Sequence, residues 1–413
     1  MASHLTRIEC PRCGLRYDPT ELVGLCTCGS PLFARYDLDA IGRTVTPAVI
    51  AGRPPDLWRY RELLPVGDDA RVVTLGEGFT PLLPVGRYGR HIGVPGLLLK
   101  DEGITPTGSF KARGAAVGVS RAAELGVRHV ALPTNGNAGA AWATYAARAG
   151  MLATVAMPAA APMVTRQECL TAGARVHLVD GLIGDAGAMI RDFVQSSNGE
   201  VFEVSTLREP YRLEGKRTMG FEIVEQLNWQ APDVIVYPTG GGVGLIGIWK
   251  AIDELTRLGW LADGARTRLV AVQSTGCAPI VRAFVAGERR ATAWDGANTV
   301  AFGINVPAPL GDELILEALY ATSGMAVAVD DEEILVDLSE FGRREGLLLC
   351  PEGAACLSAV RRLRADGWVS AHDRVVVLNT GVGLKYPAPV SALDLPVLPV
   401  GTTLPAAGPG QAD

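Results

Sequence analysis

The chain carries 413 residues, with 38 Lys and Arg against 44 Asp and Glu for a formal net charge of −6. This balance removes the simplest electrostatic reason to hold nucleic acid or an anionic membrane surface, so neither is expected as a partner. A hydrophobic share of 48% with 20% charge and 49 glycines excludes a disordered chain and fits an α/β protein large enough for more than one core.

The opening "MASHLTRIECPRCG" lacks the basic segment and apolar core of a secretory leader, and the chain reads as cytoplasmic. Cys10, Cys13, Cys26 and Cys28 then follow as C-x2-C-x12-C-x-C. Paired thiolates a dozen residues apart can converge on a tetrahedral zinc ion, and in a reducing compartment such spacing favours metal over disulfide. A ribbon that has lost its metal would read the same way, and the second knuckle is C-x-C rather than C-x2-C. Cys169, Cys277, Cys350 and Cys356 lie in apolar surroundings and read as reduced core residues.

A connector with Pro and Arg runs from Arg43 to Arg71. Beyond it, strands are predicted at "GLLLKD", "HVALPT", "LATVAMP", "RVHLVD", "DVIVYPT", "RLVAVQS" and "RVVVLNT", mostly continuous apolar runs of the kind covered on both faces. Helical stretches such as "AAWATYAARAG" and "LIGIWKAIDELTRLG" alternate with them, which implies parallel sheets. The segment from Val130 to Met163 is the most membrane-like, yet Asn135, Asn137, Arg148 and Pro158 favour a buried strand-helix-strand unit. The tail "LPAAGPGQAD" reads as disordered.

Ligands of open parallel sheets sit beyond the carboxyl ends of the strands, and the turns there are chemically unusual. "TGSFKARG" places Lys111 among small residues at the start of a helix. "PTNGNAG" offers Asn135 and Asn137, which could bind a ring hydroxyl or a carboxylate, or could cap the helix. "YPTGGGVGLIG" can curl its N–H groups into a phosphate cradle at a helix N-terminus, or can serve only tight packing. "LNTGVGLKYP" puts Thr380 at another strand end, to bond an aromatic nitrogen or to close a turn. An amine among such turns is the arrangement that holds pyridoxal phosphate as a Schiff base.

Taken in this order, "PTGSFKARGA", "TNGNAG", "YPTGGGVGLIG" and "NTGVGLKYP" resemble the fold-type II pyridoxal-phosphate enzymes, the tryptophan synthase β-like superfamily. Within it, "TLGEGFTPLLP" and "PYRLEGKRTMGFEI" are similar to the threonine synthase family. The resemblance implies an α/β fold of two open, mostly parallel-sheet domains with a zinc-ribbon-like module at 1–42. The large cofactor domain would take 43–104 and 210–396, a smaller mobile domain 105–209, and a disordered tail 397–413. It also implies a homodimer acting on a small amino-acid substrate.

Roles follow from the resemblance. Lys111 would be the catalytic Schiff-base lysine with Phe110 beside it. Asn137 would bond the ring hydroxyl, Gly240, Gly241, Gly242, Val243 and Gly244 would wrap the cofactor phosphate, and Thr380 would meet the pyridine nitrogen. Thr134, Asn135 and Gly136 would receive the substrate carboxylate through backbone N–H groups. Arg212 would bind the phosphate of O-phosphohomoserine, or else pair structurally with Glu209 or Glu214. The implied reaction is β,γ-elimination and water addition to give threonine and phosphate.

The match has gaps. Ala112 stands where the family usually has Asp, which is closer to the serine and threonine dehydratases. Thr206 and Leu207 stand where Asn-Ser often adds phosphate ligands. Lys216 and Arg217 are candidates to replace them. The alternative is a β-eliminating or β-replacing enzyme acting on serine, threonine or a phosphorylated or sulfonated amino acid. Asp101, Glu102 and Glu352 read equally as supports of the site, as caps or as surface groups.

Overall fold

The computed structural model describes residues 3–261, 266–386 and 397–402. The expected end of the large domain at 387–396, and the tail beyond 402, lie outside the described residues. Strands β1 (Leu5–Glu9), β2 (Arg16–Tyr17) and β3 (Phe33–Tyr36) form an antiparallel sheet in the order β2-β1-β3. This module is not a separate bead. Ile8, Cys10, Cys26 and Leu32 share a core with Tyr211, Phe221 and Leu255, and the helix Leu38–Thr44 runs across position 42.

The main body holds two sheets. Strands β4 (Leu82–Pro84) and β5 (Leu98–Asp101) belong to the larger one. Next come β6 (His129–Pro133), β7 (Leu152–Pro158), β8 (Arg175–Val179) and β9 (Phe202–Glu203), an all-parallel sheet in the order β8-β7-β6-β9. The large sheet is completed by β10 (Val234–Pro238), β11 (Arg268–Ser274), β12 (Met325–Val329) and β13 (Val375–Asn379). Its order is β12-β11-β10-β13-β5-β4, parallel except for β4.

All seven predicted runs are strands. The central β10 and β13 bury every residue, as β-branched runs covered on both faces should. The edge strand β12, "MAVAV", was not among the predicted runs, because short alternations with alanine carry a weak signal. The apolar stretch from Val130 is indeed strand, helix (Asn137–Arg148) and strand. No helix of the described residues is long and apolar enough to cross a membrane.

Behind the sheets, a charged core locks the helix that Lys111 opens. Arg113 is fully buried and donates through Nε to Glu102 at 2.6 Å and through Nη2 to Glu222 at 2.7 Å. Lys100 Nζ reaches the same Glu222 at 2.7 Å. The network ties β5 to the helices Lys111–Glu124 and Tyr211–Gln226, and losing one partner would strand an uncompensated charge. Glu102 is therefore a core ion, and Asp101 is also buried, accepting from Asn379 Nδ2 at 2.8 Å and Gly103 N at 2.9 Å. The same two helices touch backbone to backbone: a Cβ on Gly215 would lie 2.1 Å from the Arg113 carbonyl oxygen.

Candidate active site

Beyond the carboxyl ends of β6, β10 and β13 lies a cavity of about 380 Å³, within the range of small-molecule sites. Every residue expected at the cofactor and substrate sites lines it except the candidate phosphate ligand Arg217. Lys111 is the first residue of its helix, and its Nζ sits 3.7 Å from the centroid of the Phe110 ring. The turn before it is zipped to the turn after β13: Phe110 N donates to Thr380 O at 3.0 Å, and Val382 N to Gly108 O at 2.8 Å. Gly108 is needed there, with φ of 59° and Val382 Cγ1 2.9 Å from where its Cβ would stand. Burial brings the Lys111 amine down to about 7, with Glu352 opposing and Arg212 reinforcing that shift. A neutral amine near pH 7 is a nucleophile and a base.

The glycine turn is built by backbone. Gly242 takes φ of 75° at the N-terminus of the helix Val243–Arg257, a conformation costly for residues with a side chain. A Cβ on Gly240 would lie 2.8 Å from Gly303 O, and one on Gly244 1.9 Å from the Tyr237 hydroxyl oxygen. That hydroxyl is buried without a hydrogen-bond partner among the described residues.

The amide turn is partly committed to its own geometry. Thr134 Oγ1 accepts from Gly136 N at 2.9 Å and Gly139 N at 3.0 Å, and Thr134 N donates to Ala156 O at 3.0 Å. Two of the three backbone donors expected to face a carboxylate, those of Thr134 and Gly136, are thus already engaged. Asn135 Nδ2 donates to Asn305 O at 3.3 Å. Asn137 opens the helix Asn137–Arg148, donating from Nδ2 to the Tyr386 hydroxyl at 3.1 Å and accepting at Oδ1 from Lys385 Nζ at 3.3 Å. Lys385 also reaches Thr107 O at 2.7 Å and Glu168 at 2.8 Å.

On the opposite wall, Arg212 is 2% exposed and heavily braced. Its Nε lies 3.3 Å from Glu209, Nη1 donates to Thr206 Oγ1 at 3.0 Å, and Nη2 bonds the Val204 carbonyl. Arg212 therefore lines the cavity and is also ion-paired with Glu209, not Glu214. Arg217, a candidate phosphate ligand in the sequence, points away: it pairs with Glu214 at 2.8 Å and with Glu254, and is not among the cavity residues. Helical geometry explains this, since 216 stacks over 212 whereas 217 turns off that face.

Several residues at or beside the cavity had no single role in the sequence, where Glu352 was open between support, cap and surface group. Glu352 is 2% exposed, accepts from Gly303 N at 2.6 Å through Oε1, and leaves Oε2 buried without a partner among the described residues. Burial raises its carboxyl above the ordinary range. Cys350, read as core, is buried with Sγ 3.8 Å from Thr380 Oγ1. Tyr386 stacks on Phe302 with centroids 4.6 Å apart. The motif "GLKYP" was the available signal for Lys385 and Tyr386.

The comparisons with known proteins agree with this geometry. Residues 73–381 match the family model described as "Pyridoxal-phosphate dependent enzyme". The chain is 35% identical to the threonine synthase of Methanocaldococcus jannaschii over 391 residues, covering 94% of this chain and 95% of that one. The chain belongs to the threonine synthase family of pyridoxal-phosphate-dependent enzymes. A second threonine synthase, from Methanosarcina acetivorans, is 35% identical and covers 93% of each chain. Among solved structures, an L-serine ammonia-lyase from Rhizomucor miehei aligns with a TM-score of 0.62 and 25% identity, covering 73% of this chain and 93% of that one. Maize serine racemase, with a TM-score of 0.63 and 20% identity over 74% and 88% of the two chains, shares the fold.

The cavity suits the family's cofactor. It holds a lysine amine brought down to about 7, a glycine cradle that any Cβ would fill, and two polar atoms, the Tyr237 hydroxyl and Glu352 Oε2, that lack hydrogen-bond partners among the described residues. Away from it, the Sγ atoms of Cys10, Cys13, Cys26 and Cys28 all lie within 4.8 Å of one another. Cys10 and Cys28 are 3.6 Å apart and Cys13 and Cys26 3.5 Å, close to the roughly 3.8 Å edge of a tetrahedral zinc-thiolate site.

Proposed function

We propose that this chain is a threonine synthase, converting O-phosphohomoserine and water to threonine and phosphate by β,γ-elimination and replacement. The observation that carries the reading is the 35% identity to threonine synthases across nearly the whole chain, joined to a cavity that sets Lys111 between the glycine turn and the cationic wall of Arg212 and Lys216. Lys111 would hold the cofactor's aldehyde carbon, the N–H groups of Gly240 to Gly244 its phosphate, Asn137 its ring hydroxyl, and Thr380 its ring nitrogen. Bound there, the cofactor supplies an electron sink for a carbanion at the substrate's α-carbon.

The chain's own groups would do the rest. Lys111 Nζ, neutral when desolvated, would take the α-proton, hand it on to the bound cofactor and, neutral again, take a β-proton. The Thr134–Gly136 turn orients the substrate carboxylate, and Arg212, held by Glu209 and Thr206, supports the leaving phosphate. Lys385 and Tyr386 fix the Asn137 amide so that its orientation is set before substrate arrives. The segment 105–209 acts as a smaller mobile domain, with 43–104 and 210–396 as the cofactor domain. The four cysteines bind a structural zinc ion, and the chain works as a cytoplasmic homodimer.

A second reading, a serine or threonine dehydratase, draws on Ala112 after the lysine and on the likeness to the serine ammonia-lyase. Incubating the cofactor-loaded enzyme with O-phosphohomoserine separates the two. Equal release of phosphate and threonine supports the first, and 2-oxo acid formed from serine or threonine supports the second. Turnover of none of these substrates by fully loaded enzyme would defeat both.

A further inference from the structure

Lys216 stands out among the charged groups of the cavity wall. It is 2% exposed and lines the cavity, yet among the described residues it makes no hydrogen bond or ion pair. Its Nζ lies 4.5 Å from the centroid of the same Phe110 ring that Lys111 approaches at 3.7 Å. The chain makes room for it: a Cβ on Gly114 would stand 2.8 Å from Lys216 Nζ, and the backbone contact at Gly215 draws the two helices together. An amine buried at such a cost and left unpartnered is short of a counter-charge.

Arg212, one turn earlier on the same face, is in the opposite state. Glu209, Thr206 and Val204 hold its guanidinium in place and Glu209 offsets its charge, although its Nε makes no hydrogen bond among the described residues. Arg191 and Arg208 also reach the cavity, but both side chains are partly exposed, and a charge facing water binds an anion weakly. We propose that Lys216, alongside Arg212, is a specificity-determining cation that binds the anionic side-chain group of the substrate, a phosphate dianion. This rests on the anionic amino-acid substrate put forward above.

Charge balance supports the assignment. Burial holds the Lys216 amine well below the ordinary lysine range, Lys111 and Arg212 press it down further, and Glu209 and Glu102 pull it up. An incoming dianion adds the missing negative charge and favours the protonated amine. Anion binding at this site is therefore accompanied by proton uptake.

The test uses the cofactor-loaded enzyme and inorganic phosphate as probe, titrated calorimetrically in two buffers of different ionisation heat. Lys216→Gln and Lys216→Met should keep the cofactor absorbance band and the native melting temperature. Both should bind phosphate at least about tenfold more weakly, the loss of one charge-assisted contact, and show no proton uptake. KM for O-phosphohomoserine should rise in parallel, with a smaller change in kcat. If the native enzyme turns over O-phosphohomoserine and both variants keep the native phosphate affinity and KM, the proposal falls while the substrate reading stands. A native enzyme that neither binds phosphate nor turns over O-phosphohomoserine would overturn both.

Discussion

The two walls of the cavity are built by different means. On the glycine wall the backbone does the work: Gly240, Gly242 and Gly244 sit where any side chain would collide with Gly303, Ile315 or Tyr237. On the wall of the helix Tyr211–Gln226 the side chains do it: Arg212 is held by Glu209 and Thr206, and Lys216 stands beside it without an ion pair among the described residues. Backbone geometry is all-or-none, whereas a shared charge network yields by degrees. The first wall suits an invariant ligand group, and the second can be retuned for different substrates.

The largest effect should come where the walls meet. Lys111→Ala should abolish the absorbance band near about 410 nm given by the lysine-bound cofactor and lower turnover by at least about a thousandfold, both read on the purified enzyme. On the glycine wall, Gly244→Ala must displace the Tyr237 hydroxyl from 1.9 Å. It should cost about 3 kcal/mol of stability by denaturant unfolding and most of the cofactor content. If Gly244→Ala binds cofactor normally, the contrast between the walls is lost.

Acidity sharpens the comparison at intermediate size. Lys111 must be neutral to take up cofactor, and its amine is brought down to about 7. The rate of reconstitution of the apo-protein should be level above pH 7 and fall about tenfold per pH unit below it. The same group contributes to stability in the matching direction. Its folded value lies below the unfolded one, so the unfolded chain binds more protons, and the apo-protein should gain stability as pH rises from about 7 toward the ordinary lysine range.

Smaller effects belong to the charged wall and to the module. Thr206→Val removes one neutral acceptor from Arg212 and should raise the substrate KM by about fivefold, measured by steady-state kinetics with little change in kcat. Metal analysis should find about one zinc per chain. Chelation should lower the melting temperature by several degrees and change turnover least, because none of the four cysteines lines the cavity.

The same contrast explains what could be read from the sequence. Continuous runs such as "VIVYP" and "VVVLN" announce buried strands, and "TGGGVG" or "SFK" announce turns because local chemistry alone dictates them. The roles of Glu352, Lys385 and Tyr386 depend on partners far away in the chain, at Gly303, Glu168 and Asn137. No spacing encodes such pairs. The direction of Arg217 was available from helical periodicity, since it lies five residues after Arg212, and so was its i,i+3 partner Glu214, but its partner Glu254 was visible only in the fold.

The placing of the eight cysteines has a consequence for chemical resilience. Cys169, Cys277, Cys350 and Cys356 are buried, whereas Cys13 and Cys28 are exposed. Alkylating or oxidising reagents, which attack accessible thiolates, therefore meet the small N-terminal sheet long before the thiol beside Thr380. The first thiols lost to such reagents would report damage to the module, and turnover in the catalytic cavity would outlast it.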